Sequence, residues 1–177
     1  MSGRAVLSTF VVAFAATAAV GCTQHVSGSA RSAAAGAADV ERSYGYADNR
    51  CGLLTDVTVG DLLGADDVVR PYSGAVCQYI LDRRSGPVDV TFAWFDTGTL
   101  ARERGVAVER GATVNDTVIE RRPAFLARRD AAGAGCSATA DAGGGVLSWW
   151  VQTRGDVLSD PCPDAQKLLS ATLRSDM

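Results

Sequence analysis

The chain opens on an apolar run, Ala5 to Val20, broken only by Ser8, Thr9 and Thr17 and preceded by the single charge of Arg4. A positive start, an apolar core and small residues ahead of Cys22 make the pattern of a secretory signal, so residues 1–21 are expected to be removed and to take no part in the fold. The run is shorter than the roughly 20 apolar residues a helix needs to cross a bilayer, and polar chain follows at once, which argues against an uncleaved membrane helix. From Thr23 to Arg50 all periodicity is lost. Ala, Ser and Gly supply seven, four and three of these 28 residues, and three Arg offset three acids. That is the composition of a flexible tether, reaching about 30 Å at roughly 5–6 Å times the square root of its length.

Periodicity returns at Cys51, and residues 51–177 are expected to form one folded domain. A short helix is predicted around Val59–Leu63, with Thr58 and Asp61 resembling a capping box and Gly64 as the stop. Ala75–Leu81 and Val88–Phe95 read as two strands of a hairpin, because Val88, Val90, Phe92 and Trp94 alternate against Asp89, Thr91 and Ala93. A thin stripe of Ala101, Gly105 and Val108 predicts the inner side of a helix over Thr99–Arg110. Further strands are predicted at Thr117–Glu120, Ala124–Ala127, Cys136–Ala140 and Val146–Thr153, separated by Arg-Pro and by Gly-rich breaks. A closing helix has Asp160 as its expected cap, Pro161 at its first helical position, and Cys162, Ala165, Leu169, Thr172 and Leu173 on one face. The order predicts an α+β fold: an antiparallel sheet covered by helices.

The string Ala19-Val20-Gly21-Cys22 looks like a bacterial lipobox, with Ala19 where such boxes favour Leu. Cleavage there would leave Cys22 as a lipidated N-terminus. Two acyl chains, at about 0.8 kcal/mol per buried methylene, hold a protein at a membrane where one chain binds reversibly. Setting Cys22 aside, the five cysteines reduce to four: Cys51, Cys77, Cys136 and Cys162. An even set in an exported chain reads as two disulfides. Three pairings are open. The most local, Cys51 with Cys77 and Cys136 with Cys162, gives two equal separations of 26 and is the expected one. No C-x-x-C knuckle supports the alternative four-cysteine zinc site, so no metal is expected.

Composition removes several chemistries. The net charge is −3, from 17 basic and 20 acidic residues, which disfavours nucleic acid as a partner. The single histidine, His25, lies in the tether, so Ser-His-Asp and Cys-His arrangements are impossible in the domain, and neither G-x-S-x-G nor S-x-x-K occurs. No cofactor motif is present either, since the Gly133–Ala138 glycine pattern precedes a predicted strand rather than a helix. Paired acids such as Asp66-Asp67, Asp156 with Asp160, or Glu103 with Glu109 leave a two-carboxylate glycan hydrolase as an alternative. Two features suit binding. The dyads Arg121-Arg122 and Arg128-Arg129 offer forked guanidiniums for phosphate or carboxylate groups. In Trp149-Trp150, strand alternation puts Trp149 with Leu147 and Val151, leaving Trp150 beside Ser148 and Gln152 on the opposite face, where it is a candidate groove residue.

Several strings carry a family resemblance: Gly21-Cys22-Thr23 with Val26-Ser27-Gly28, Gly74-Ala75-Val76-Cys77, Phe92-Ala93-Trp94-Phe95 with Gly98-Thr99-Leu100, Gly135-Cys136, Asp141-Ala142-Gly143, Trp149-Trp150-Val151, and Cys162 with Ala165, Lys167 and Leu168. On these, over nearly the whole mature chain, the sequence resembles the actinobacterial LprB/LprC-type lipoproteins, whose domain is described as being of unknown function. The resemblance implies a lipid anchor on the outer face of the cell membrane and supplies no catalytic residues. The Mog1/PsbP-like α/β/α sandwich is the fold we compare by analogy. The expectation is therefore a noncatalytic, lipid-anchored envelope protein that binds an envelope component or assists a membrane protein, with a lipid carrier as a further alternative.

Overall fold

Alternation in the sequence becomes a single antiparallel sheet. The computed structural model describes residues 43–130, 133–155 and 159–175; Cys22, His25, Asp156 and the opening apolar run read as a signal fall outside them. The strands are β1 (Asp67–Tyr72), β2 (Val76–Asp82), β3 (Val88–Phe95), β4 (Thr113–Ile119), β5 (Arg122–Arg129), β6 (Gly135–Asp141) and β7 (Val146–Thr153), and the helices α1 (Asp56–Leu63), α2 (Leu100–Glu109) and α3 (Cys162–Arg174). Sheet order is β1-β2-β3-β7-β6-β5-β4. The last strand in the chain, β7, thus enters the middle, beside β3 and β6, and joins an N-terminal meander to a second one.

Register assigns the faces. Cys77 pairs with Phe92, Phe92 with Trp149, Trp149 with Ala138 and Ala138 with Leu126, so these side chains share one side of the sheet. Both α1 and α3 pack on that side. Tyr79, Leu81, Val90, Phe92, Leu147, Trp149 and Val151 are fully buried there against Leu168, Leu169 and Leu173 of α3. The Trp149 indole N–H donates to Thr172 Oγ1 at 2.9 Å, which satisfies the one polar atom of the largest core side chain. Both expected disulfides are present, Cys51–Cys77 and Cys136–Cys162, the second tying the start of α3 to β6. Arg83 adds an ion pair at 2.6 Å to Asp164 of α3.

Several predicted boundaries move, each for a physical reason. The packed chain reaches back into the predicted tether: Tyr44 is buried against Trp94, with ring centroids 5.0 Å apart. Arg70, on β1, gathers Tyr46, Asn49 and Asp56 around itself and so fixes the same segment. Two aromatics are hidden there by an Ala/Ser/Gly-rich average. Helix α1 begins earlier than predicted because Thr55, not Thr58, is its cap, its side chain accepting the Thr58 N–H at 3.1 Å; Gly64 closes the helix at φ 64° as expected. In α3 the capping position is Pro161 rather than Asp160, whose carboxylate still accepts the Cys162 N–H at 3.0 Å. Strand β1 is absent from the sequence-based expectation, being short, exposed and interrupted by Pro71 and a register shift, all properties of an edge strand. Pro123 does not separate two strands but lies inside β5, opposite Val118 and beyond the β5–β6 ladder that starts at Ala124↔Ala140; its missing N–H removes no bond from that ladder.

Candidate functional site

The other face of the sheet is built from the alternate positions: Thr91, Ala93 and Phe95 of β3, Ser148 and Trp150 of β7, Ser137 and Thr139 of β6, Phe125, Ala127 and Arg129 of β5. Among the described residues only α2 covers it, over β4, β5 and β6. Thr99 caps this helix by accepting the Arg102 N–H, as its predicted start implies. The predicted inner stripe is wrong. Ala101, Gly105 and Val108 face solvent, Val108 being 52% exposed. The rotation of the helix is fixed instead by Arg104, whose guanidinium forks onto Asp116 of β4 at 2.7 and 3.1 Å. That fork pulls the Asp116 carboxyl below its ordinary range.

With this rotation Glu103, Val106, Ala107 and Arg110 turn towards the sheet, yet no residue of α2 is fully buried. A cavity of about 350 Å³ remains between helix and strands. Its size is at the lower end of small-molecule sites. Phe95, Val106, Ala107, Phe125, Ala127 and Trp150 give it apolar walls, while Ser137, Thr139 and Ser148 place hydroxyls in the floor. Thr139 Oγ1 and Ser148 Oγ satisfy each other at 2.8 Å, so those hydroxyls are occupied across β6 and β7. Trp150 donates from its indole N–H to Gln152 Oε1 at 3.3 Å and carries the Arg129 guanidinium 5.4 Å above its ring. Its ring packs against Gly135, where a Cβ would run into Trp150 Cζ2.

Of the predicted binding residues, the structure brings together Trp150 and Arg129 alone. Arg121 sits in the two-residue β4–β5 turn, where Glu120 and Arg121 both take positive φ, 48° and 63°, and Arg122 follows at the start of β5. Arg128 is one residue from Arg129 and therefore on the opposite face, paired with Asp160 at 2.8 Å and Asp130 at 3.3 Å. The period of two divides the second dyad, and the length of β5 removes the first. Among the described residues the paired acids do not converge on one site: Asp66 lies near Arg84, Asp160 is held by Arg128, and of Glu103 and Glu109 only Glu103 lines the cavity, while Asp156 lies outside the described residues. Arg110, Glu103, Phe95 and Phe125 join the site although the sequence does not single them out as binding residues. Their signal is the even spacing of strand residues on the Trp150 face, and for Arg110 and Glu103 it is masked by the competing helix stripe.

Among the described residues no helix is long and apolar enough to cross a membrane, and no group of His, Cys, Asp or Glu is placed to hold a metal ion. The chain matches, over residues 17–175, the family described as "Protein of unknown function (DUF3558)". The chain belongs to the DUF3558 family. The match reaches from the end of the signal-like run through α3, so this DUF3558 chain carries its sheet, both disulfides and the α2 cavity inside the family region. No curated protein and no solved structure matches it.

Proposed function

We propose that this DUF3558 chain is a noncatalytic protein of the LprB/LprC type, lipid-anchored on the outer face of the cell membrane, whose domain binds an envelope component in the cavity beneath α2. The observation that carries the binding reading is the asymmetry of the sheet. One face is sealed by α1 and α3, whereas α2 spans the other without a single fully buried residue and leaves a cavity walled by Trp150, Phe125 and Phe95. An apolar hollow flanked by a few polar groups is the form that small-molecule sites take. The anchor rests on the lipobox-like Ala19-Val20-Gly21-Cys22 and the tether behind it. A lipid carrier is the second reading, favoured by the same apolar walls.

Native mass spectrometry of protein isolated from its own envelope without denaturant tests the binding reading. A reproducible small-molecule adduct that Trp150→Ala loses is the expected result. A bare domain in repeated preparations, together with no adduct after incubation with envelope lipid extract, would overturn it. The anchor is tested separately: Cys22→Ala should abolish incorporation of a palmitate label and release the chain from the membrane fraction.

A further inference from the structure

The charges around the α2 cavity are unevenly matched and unevenly placed. Arg104 and Arg154 each have a carboxylate partner, Asp116 and Asp89. Arg110 and Arg129 also line the cavity or its edge, are exposed, and have no carboxylate partner among the described residues. They lie at the same end. The C-terminus of α2 runs through Arg110 into Thr113, which pairs with Arg128, while Arg129 pairs with Gly135, itself opposite Gln152. The other end is set by Phe95, paired with Val146, where the chain turns into α2 and where Glu103 of the first turn stands. Between these ends the walls are apolar.

We propose that the cavity takes a single-chain anionic amphiphile, its hydrocarbon lying along the sheet under α2 and its carboxylate or phosphate head held by Arg110 and Arg129. This rests on the binding reading above and names the ligand class for the same site. Two guanidiniums present forked donors to an oxyanion, and Arg129 is already oriented by stacking on Trp150, which lowers the entropy lost on engaging a head group. Glu103 repels an anion at the far end and so fixes the direction in which the ligand lies. A ten-residue helix covers about 15 Å at 1.5 Å per residue, enough for one acyl chain of moderate length and too little for a multi-chain lipid body.

The test is isothermal titration calorimetry on the full chain carrying Cys22→Ser, so that no acyl group of its own competes, with four probes sharing one tail: dodecanoate, dodecyl phosphate, dodecyl maltoside and dodecyltrimethylammonium, each kept below its micellar concentration. Dodecanoate or dodecyl phosphate should bind about tenfold or more tightly than the neutral and cationic probes. The difference between the two anions identifies the head group. Arg110→Gln with Arg129→Gln should erase that preference while leaving the weak affinity for dodecyl maltoside unchanged. Equal binding of all four probes overturns the anionic class and leaves the cavity reading standing. Binding of none overturns both. Anion preference that survives the double substitution overturns the assignment to these two arginines. Ala107→Leu, which fills the hollow from the helix side, should block every probe, and probe binding unaffected by it would place the ligand elsewhere.

Discussion

The two faces of the sheet are made by the same strands from neighbouring residues, yet they do different things. On one, Trp149 is completely buried, its N–H satisfied by Thr172, with Tyr79 and Phe92 rings 6.1 and 4.9 Å away. On the other, Trp150 is half-buried at the edge of a cavity, under a guanidinium and beside a glycine. The difference comes from the helices. Five inner residues of α3 are fully buried, and its start is tied down by a disulfide. Helix α2 buries none, its apolar stripe is interrupted by Glu103, and it is held by an exposed ion pair whose strength water screens. Stability resides on one side of the sheet, and room for a ligand is left on the other.

The largest expected effect tests that division directly. Trp149→Ala should cost about 3–5 kcal/mol in urea unfolding, as a large buried aromatic with a satisfied N–H does, while Trp150→Ala should cost about 1 kcal/mol and act on binding instead. Equal losses at the two neighbours would break the comparison. Next comes the Cys136–Cys162 bridge, whose closed loop spans a separation of 26. Replacing both cysteines by Ser should remove about 2–4 kcal/mol and expose α3 first in hydrogen exchange.

An alkaline titration gives a further signature of the sealed face. Burial pushes the Tyr79 hydroxyl up to about 12, with Arg70 pulling the other way. Because the folded value lies above the ordinary 10.0, the contribution of the neutral phenol is complete below pH 10 and fades as pH rises through about 12. Unfolding midpoints should therefore fall between pH 10 and 12, and Tyr79→Phe should flatten that decline. The smallest effect sharpens the open side. Gly105 lies inside α2, and a methyl group added to it would meet nothing within 4 Å, so Gly105→Ala should gain about 0.5–1 kcal/mol of helix stability and slow exchange of the α2 amides. Were those amides already as protected as those of α3, the helix would not be the weakly held element described.

Legibility in the sequence follows the strength of the local signal. Strand β3 can be read at its true bounds because clean alternation over eight residues leaves one solution, and β7 because the Gly143-Gly144-Gly145 break marks where it begins. The cysteine pairing is legible from proximity alone. Tyr44 escapes a linear reading because Trp94, and the Gly52 N–H that donates to its carbonyl, lie beyond the segment's own composition. For α2 two weak stripes compete, and the deciding contact, Arg104 with Asp116, joins elements that a linear reading does not relate. At the candidate site, Trp150 and Arg129 are each visible individually. Their meeting is not, because it depends on β5, β6 and β7 lying side by side.

What the sequence determined by itself is therefore one-dimensional: which residues alternate, roughly where helices and strands fall, and which cysteines are near one another. The tertiary structure alone decided that β7 enters the middle of the sheet, that α1 and α3 take one face and α2 the other, and that Arg110 and Arg129 share an end of one cavity. The physical reason is that alternation fixes only that two faces differ. Which face is sealed depends on how much apolar area each helix brings to it, and α3 brings far more than α2.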